Sequence, residues 1–574
     1  MQSYRDQDGI GRGRIPSGAS TIFLVAAGLY SLTWILVMPR WYRYCINPDG
    51  ISYISIAQKY LRGDFADAIN GYWGPLYSWL LTPLLLIGIE PLLAARLLGG
   101  GLGLGAFATL SLLARHFGLS RQARRAVALA AWPVVLFYSV FGIMPDLLLA
   151  VILLFYLYFV FRLDRGPTTG GLVAGGTAAA AYLAKSYALP FFLGHLVLMT
   201  ACQFLRAGDS PARRRVLRNA CCALLVFSMV AGTWIGLLSA KYGKFTWSTS
   251  GRYNLGRLAP PAARNHLPRI APPSNDTAIS AWEDPPRLGT AEWSPLHSLR
   301  DFAYYAWRVV QNAHEILMAL LEFSSLSGAI LVLIVLLLLD REILRTAPDK
   351  TLYPLVTLIL FCAGYMLVLI ETRYLWFCCF LLLLMGGYAY DRVVLRNPFF
   401  TRVRRGCVVA AFIASFAVAP AFQLVWFRNM GRESRVLAQA LGKYIQPGDR
   451  IASDGESQTS LFLAYHLKAR CYTGLGMRPC DGDVAAIEAD LGRYGIDHYL
   501  VWEKSKAGAL SLADYRKMPV SGSGLPVLYT RKHLASSPQP VLTEGPSSLP
   551  RPSTTENGAS DEGVPPAIPT RPLD

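Results

Sequence analysis

Apolar runs of roughly 15–25 residues recur from one end of this chain to the other, the lengths that a hydrocarbon core about 30 Å thick demands. They fall at Thr21–Met38, Leu92–Leu113, Ala126–Phe141, Leu147–Phe161, Gly171–Leu183 and Leu189–Phe204, then at Ala220–Leu238, Leu326–Leu339, Leu352–Ile370, Leu375–Tyr388 and Val408–Val425. The pattern predicts a polytopic α-helical membrane protein of about eleven spans. A composition 53% hydrophobic and only 16% charged excludes an ordinary soluble domain. The first run is too long for a signal core and lacks a small-residue cleavage site, so it is read as a retained helix.

A formal net charge of +18 raises nucleic acid as a partner, but its distribution excludes that reading. Arg12 and Arg14 precede the first run. Arg121, Arg124, Arg125, Arg162, Arg165, Arg213, Arg214, Arg215, Arg218, Arg341, Arg345, Arg402, Arg404 and Arg405 all fall in connections on the side that holds the N-terminus. This is the positive-inside pattern, which predicts a cytoplasmic N-terminus and an extracytoplasmic C-terminus.

Residues 1–20 form the cytoplasmic tail and 21–427 the membrane region, with long external loops at 39–91 and 241–325. In the first loop, Ile51, Ile54, Ile56, Ala57 and Tyr60 have helical spacing and predict a helix along the membrane surface. In the second, 301–323 is amphipathic, with Arg308, Gln311 and Glu315 on one face, as an interfacial helix requires. Residues 428–532 read as a small α/β domain: strands near Arg450–Ser453, Arg470–Thr473 and His498–Trp502, helices at Thr459–Leu467 and Val484–Tyr494, and a closing strand at Val527–Tyr529. From 533 to 574, Pro, Ser, Thr and Glu dominate without period, which predicts disorder. Cys471 and Cys480 belong to the external domain and are expected to pair as a disulfide. Neither CxxC pairs nor His-rich spacing marks a metal cluster, and Asp64 and Asp67 read as a solvated loop.

The polar residues at the ends of the runs converge on one side. Asp49 follows the first span and Asp146 begins the fourth; Lys185 sits in one outer turn, Glu371 and Arg373 in another. Charges beside hydrocarbon are costly and tend to line a polar cavity. Carboxylates and cations on one face suit a hydroxyl nucleophile and an anionic leaving group. Plainer readings stand beside this one. Asp49 after Asn47-Pro48, and Asp146 after Pro145, fit helix N-termini; Lys185 fits a snorkelling side chain; Glu371 and Arg373 fit a turn pair. The segment Tyr72-Trp73-Gly74-Pro75 equally fits an interfacial aromatic belt.

Asp49-Gly50-Ile51-Ser52-Tyr53, Trp73-Gly74-Pro75-Leu76-Tyr77-Ser78-Trp79, Ala94-Ala95-Arg96-Leu97 and Glu371-Thr372-Arg373-Tyr374 together resemble the GT-C superfamily, in particular its ArnT-like and protein-mannosyltransferase-like members. That resemblance implies a cell-envelope enzyme of the bacterial inner or plasma membrane. It would transfer a hexosyl or pentosyl unit, with inversion, from a polyprenyl-phosphate-linked donor to a lipid, glycan or protein hydroxyl. Asp49 would be the base, Asp146 would support the acceptor or a divalent cation (Mg or Mn), and Lys185 and Arg373 would hold the donor phosphate. Tyr53, Trp73, Tyr77, Glu371 and Tyr374 would line the substrate. Relatives commonly carry Asp-Glu where this chain has Asp49-Gly50, which leaves metal dependence open. The alternatives from other classes are a lipid or polysaccharide transporter (flippase) and a non-catalytic assembly component. Transport is disfavoured because the spans are largely free of charge.

Overall fold

The computed structural model describes residues 17–263, 270–289, 293–473, 484–502, 511–520 and 525–535. Each of the eleven expected apolar segments is a helix there: Ser17–Val37, Pro91–His116, Arg121–Val140, Asp146–Val160, Thr168–Ala184, Ala188–Arg206, Ser210–Tyr242, Ser327–Leu339, Leu352–Met366, Trp376–Ala389 and Arg402–Trp426. Among the described residues, seven helices are long and apolar enough to cross a bilayer, or eight if Leu299–Phe323 and Ser327–Leu339 count as one bent span. That pair turns through 99°, with the buried Ser324 hydroxyl donating to Ser415 Oγ at 2.8 Å in the bend. The amphipathic stretch from residue 301 is thus a helix lying across its neighbour. It buries Ile316, Ala319, Leu320 and Phe323, and its Asn312 amide donates to the Met366 and Val368 carbonyls, both at 2.9 Å.

The helix ends sort into two rims. Asp49, Asp146, Lys185 and Arg373 lie at one. At the far ends of the neighbouring helices Pro91–His116, Arg121–Val140 and Ala188–Arg206 stand Arg115, Arg121 and Arg206, and Arg165 lies in the connection from Asp146–Val160 to Thr168–Ala184. Arg96 holds the first rim together: it is 1% exposed and donates to the Val140 carbonyl at 2.7 Å and to the Cys45 carbonyl. At the other rim the Ser120 hydroxyl and backbone N–H both donate to Asp391, each at 2.6 Å.

The loop at 39–91 is more structured than its sequence implied. Pro48–Arg62 is the expected helix, with Pro48 fixing the first turn and Gly63 closing it at φ 77°. It does not lie free on a surface, because both of its faces are covered. Its apolar side packs on Pro75–Leu86, a helix that the short run after Gly74-Pro75 did not announce. Its polar side meets the 3₁₀ turn Ala281–Glu283 of the second loop.

Among the described residues the C-terminal region carries a five-stranded sheet: β1 Arg450–Ser453, β2 Arg470–Cys471, β3 His498–Val501, β4 Tyr515–Lys517 and β5 Val527–Arg531, in the order β2-β1-β3-β5-β4. β1 is parallel to β2 and β3; β5 is antiparallel to β3 and β4. The strand expected to close the sheet, at 527, is interior, and β4 forms that edge. Leu461, Leu463 and Ala464 of the Ser457–Leu467 helix share one core with Ile51 and Ile54, so the sheet region is docked on the first loop. The expected Cys471–Cys480 pairing and the tail from 536 fall outside the described residues.

Arg96→Met should lower the thermal unfolding midpoint in detergent, because two buried helix-end carbonyls lose their donor at about 1–3 kcal/mol each. An unchanged midpoint would contradict this role for Arg96.

Candidate active site on one membrane rim

Asp49 lies in the first turn of the helix Pro48–Arg62, two residues past its N-cap. Asn47 occupies the cap position, but its side chain reaches away and accepts from the Ile143 N–H at 2.9 Å, tying two helix-end loops together. That close approach explains Gly50. A Cβ there would lie 2.6 Å from the Ile143 Cβ and 2.9 Å from Asn47 Oδ1. A second carboxylate beside Asp49 has no room.

Asp49 is 8% exposed, and both of its oxygens are engaged. Oδ2 accepts from Arg373 Nη1 at 2.7 Å, and Oδ1 from the Trp282 indole N–H at 3.1 Å. Arg373 also donates through Nε to Glu371 at 2.6 Å, so one guanidinium joins two carboxylates. Burial works to raise the Glu371 carboxyl, but Arg373 outweighs it and holds the group below the usual glutamate range. Since the Glu371 side chain is 40% exposed, solvent screens part of that pairing.

Lys185 and Asp146 form the second half of the site. Lys185 Nζ donates to Asp146 Oδ1 at 2.6 Å and stands 3.4 Å from the Tyr374 ring centroid. Arg373 lies 5.4 Å from that same centroid, so both ion pairs border the Tyr374 ring. Burial pulls the Lys185 ammonium below its ordinary value, opposed by Asp146. Gly74 brings the aromatic loop here, since a Cβ would lie 2.5 Å from the Leu183 carbonyl oxygen.

An aromatic layer borders Asp49. Trp73 stacks edge-on against Tyr53 at 5.3 Å and Tyr72 at 4.6 Å, and Trp282 stands 6.2 Å from both Tyr72 and Trp73. Tyr77 packs behind Tyr53 at 5.2 Å and is 1% exposed, away from the open side.

Two residues here escaped the sequence reading. Trp282 sits in a Pro-rich loop with no apolar period. Arg257 ends the short helix Ser250–Arg257. It is half-buried, acts electrostatically on Tyr72 and Glu371, and has no hydrogen bond or ion pair among the described residues. Asp64 caps the short helix Phe65–Ala68 instead of standing free in solvent.

A divalent cation finds poor ligands here. Among the described residues, no three His, Cys, Asp or Glu side chains converge as a metal set. Asp49 and Asp146 already hold cationic partners, and position 50 admits no further acid. The residues present do not fit such an ion.

The architecture has known counterparts. ArnT from Cupriavidus metallidurans in the apo state superposes with a TM-score of 0.53 at 14% identity, over 91% of this chain and 99% of that one. The same protein bound to undecaprenyl phosphate gives 0.55 at 15% identity, over 92% and 100%. The chain has the GT-C fold. At such identities the likeness is one of fold alone. No protein-family model matches the sequence, and no curated protein matches it. Within the GT-C frame, the residues gathered at this rim are what the chain offers for chemistry.

Gly50→Ala should destabilise the protein by about 1–3 kcal/mol through overpacking against Ile143. The thermal midpoint reads this directly, and a wild-type midpoint would mean that the Asn47–Ile143 contact yields freely.

Proposed function

We propose that this protein transfers a sugar from a polyprenyl-phosphate-linked donor to an acceptor hydroxyl at the extracytoplasmic face of a bacterial inner membrane. The observation that carries the reading is the meeting of Asp49, Asp146 and Glu371 with Arg373, Lys185 and Arg257 at one rim, beside an aromatic layer. The arginines at the far rim support the outward orientation of this one. The ArnT structure bound to undecaprenyl phosphate supports a polyprenyl phosphate as the carrier.

Asp49 is the base. Each carboxylate oxygen keeps a second acceptor site after its contact with Trp282 or Arg373. An acceptor O–H therefore donates to Asp49 without displacing either partner. As the proton passes to Asp49, the oxygen attacks the anomeric carbon, and the bond from that carbon to the phosphate oxygen breaks with its electron pair. The configuration inverts in this single displacement. The polyprenyl phosphate leaves with its negative charge, which cations nearby must stabilise as it develops.

Lys185 and Arg373 are the expected cations, yet both are already paired with carboxylates. Arg257 has no such partner among the described residues and is the readiest group to meet the phosphate. Lys185 and Arg373 then contribute field and geometry, supplying the positive charge otherwise asked of a divalent ion. Asp146 holds Lys185 in place.

Purified protein in lipid nanodiscs, given a polyprenyl-phosphate-linked sugar and a membrane acceptor fraction, should release free polyprenyl phosphate. Asp49→Asn should slow that release by about 10²–10⁴-fold. Full activity of this variant would remove Asp49 as the base. Arg257→Ala should raise the donor KM about tenfold at an unchanged thermal midpoint, and an unchanged KM would remove Arg257 from the phosphate site.

A further inference from the structure

Segment 270–284 joins the C-terminal sheet to Asp49. At the sheet, it runs beside the edge strand β2, with an antiparallel bridge from Ile270 to Thr473 and a parallel one from Ser280 to Cys471. The Ala271 N–H donates to the Tyr472 carbonyl at 2.9 Å, and the Cys471 N–H to the Ile279 carbonyl at 2.7 Å. Arg470 Nη2 adds a bond to the Asn275 carbonyl at 3.2 Å. An edge that would otherwise stand open to pairing is covered.

At the membrane rim the segment is clamped again. Glu283 pairs with Lys59 of the first-loop helix, with the two side chains 3% and 0% exposed. An ion pair so buried is costly to break from one side, because the remaining charge is left uncompensated. Asn70 donates to the Glu283 carbonyl at 2.7 Å, while Ser52 Oγ and Trp73 Nε1 both donate to the Trp282 carbonyl at 3.3 Å. With its backbone held from both sides, Trp282 directs its indole N–H at Asp49 Oδ1.

We propose that Trp282 is a positioning residue for Asp49, and that segment 270–284 is a strap through which the C-terminal sheet fixes the base. This deepens the proposed reading of Asp49 and rests on it. An indole N–H is a donor only, so Trp282 cannot take the acceptor's proton and competes for nothing in the transfer. What it does is hold one carboxylate oxygen, while Arg373 holds the other. A misplacement of about 1 Å in a reacting group costs on the order of 10²-fold in rate. The C-terminal sheet thus acts on the chemistry through geometry, at a distance from the reacting atoms.

Trp282→Phe keeps a ring against Tyr72, Trp73 and Tyr253 but removes the N–H. The expected result is a kcat lower by about 10–100-fold, with donor and acceptor KM and the thermal midpoint unchanged. Ala271→Pro deletes the bond to Tyr472 at the far end of the strap and leaves Trp282 and the rings around it unchanged in sequence. It should lower kcat in the same way, and the double variant should be no slower than the worse single one. A wild-type kcat in Trp282→Phe, or multiplicative losses in the double variant, would overturn the proposal. So would a wild-type kcat in Ala271→Pro when hydrogen exchange on the full chain shows residues 271–284 released. Should Trp282→Phe fold poorly, the Ala271→Pro pair of measurements decides alone. The failures separate cleanly: an active Asp49→Asn defeats the reading of the base, whereas an inactive Asp49→Asn beside a fully active Trp282→Phe defeats only the strap.

Discussion

One guanidinium carries the organisation of the site. Arg373 bonds Asp49 at 2.7 Å and Glu371 at 2.6 Å, from a turn more than 300 residues along the chain from the first-loop helix. A buried charge is tolerated only where its partners are held in place, and the surrounding structure supplies that restraint. The Leu299–Phe323 helix pins the carbonyls that lead into the Glu371 turn. Gly50 lets the Asp49 helix close against Ile143, and Arg96 ties the neighbouring helix ends. In the proposed reaction, Arg373 and Lys185 hold Asp49, Glu371 and Asp146 in place before the donor arrives, and Arg257 is left to meet the incoming phosphate. Little has to reorganise as charge moves from nucleophile to leaving group.

The membrane helices were legible because nothing else makes runs of that length and apolarity. The helix over Val484–Tyr494 was legible from its apolar spacing, and its end at Tyr494 agrees. Pro75–Leu86 was not, because its run is short and sits beside aromatic residues that fit an interfacial belt equally well. Arg432–Leu441 and β4 were missed for a related reason: one is mostly polar on the surface and the other is the three residues Tyr-Arg-Lys, too few to show a period.

Site residues at the ends of apolar runs could be found, because charges there are few and the topology assigns them a side. Their pairing could not. Nothing in the chain couples Arg373 to Asp49 or Lys185 to Asp146, and the turn-pair reading of Glu371 with Arg373 describes a bond that does form, within a larger network. Trp282 and Arg257 lie in short helical pieces of a long connection, Ala281–Glu283 and Ser250–Arg257, too brief for local pattern to carry information about long-range contact. The departure at Gly50 was visible as a departure, but its cause, the pressure of Ile143, needed coordinates.

The account comes down to one base and one displacement. Proton NMR of the first glycosylated product, compared with the donor's anomeric proton, tests this most directly. Inversion of the anomeric configuration is the predicted result. Retention would require a covalent sugar–enzyme intermediate or a second displacement, and would contradict the role given to Asp49.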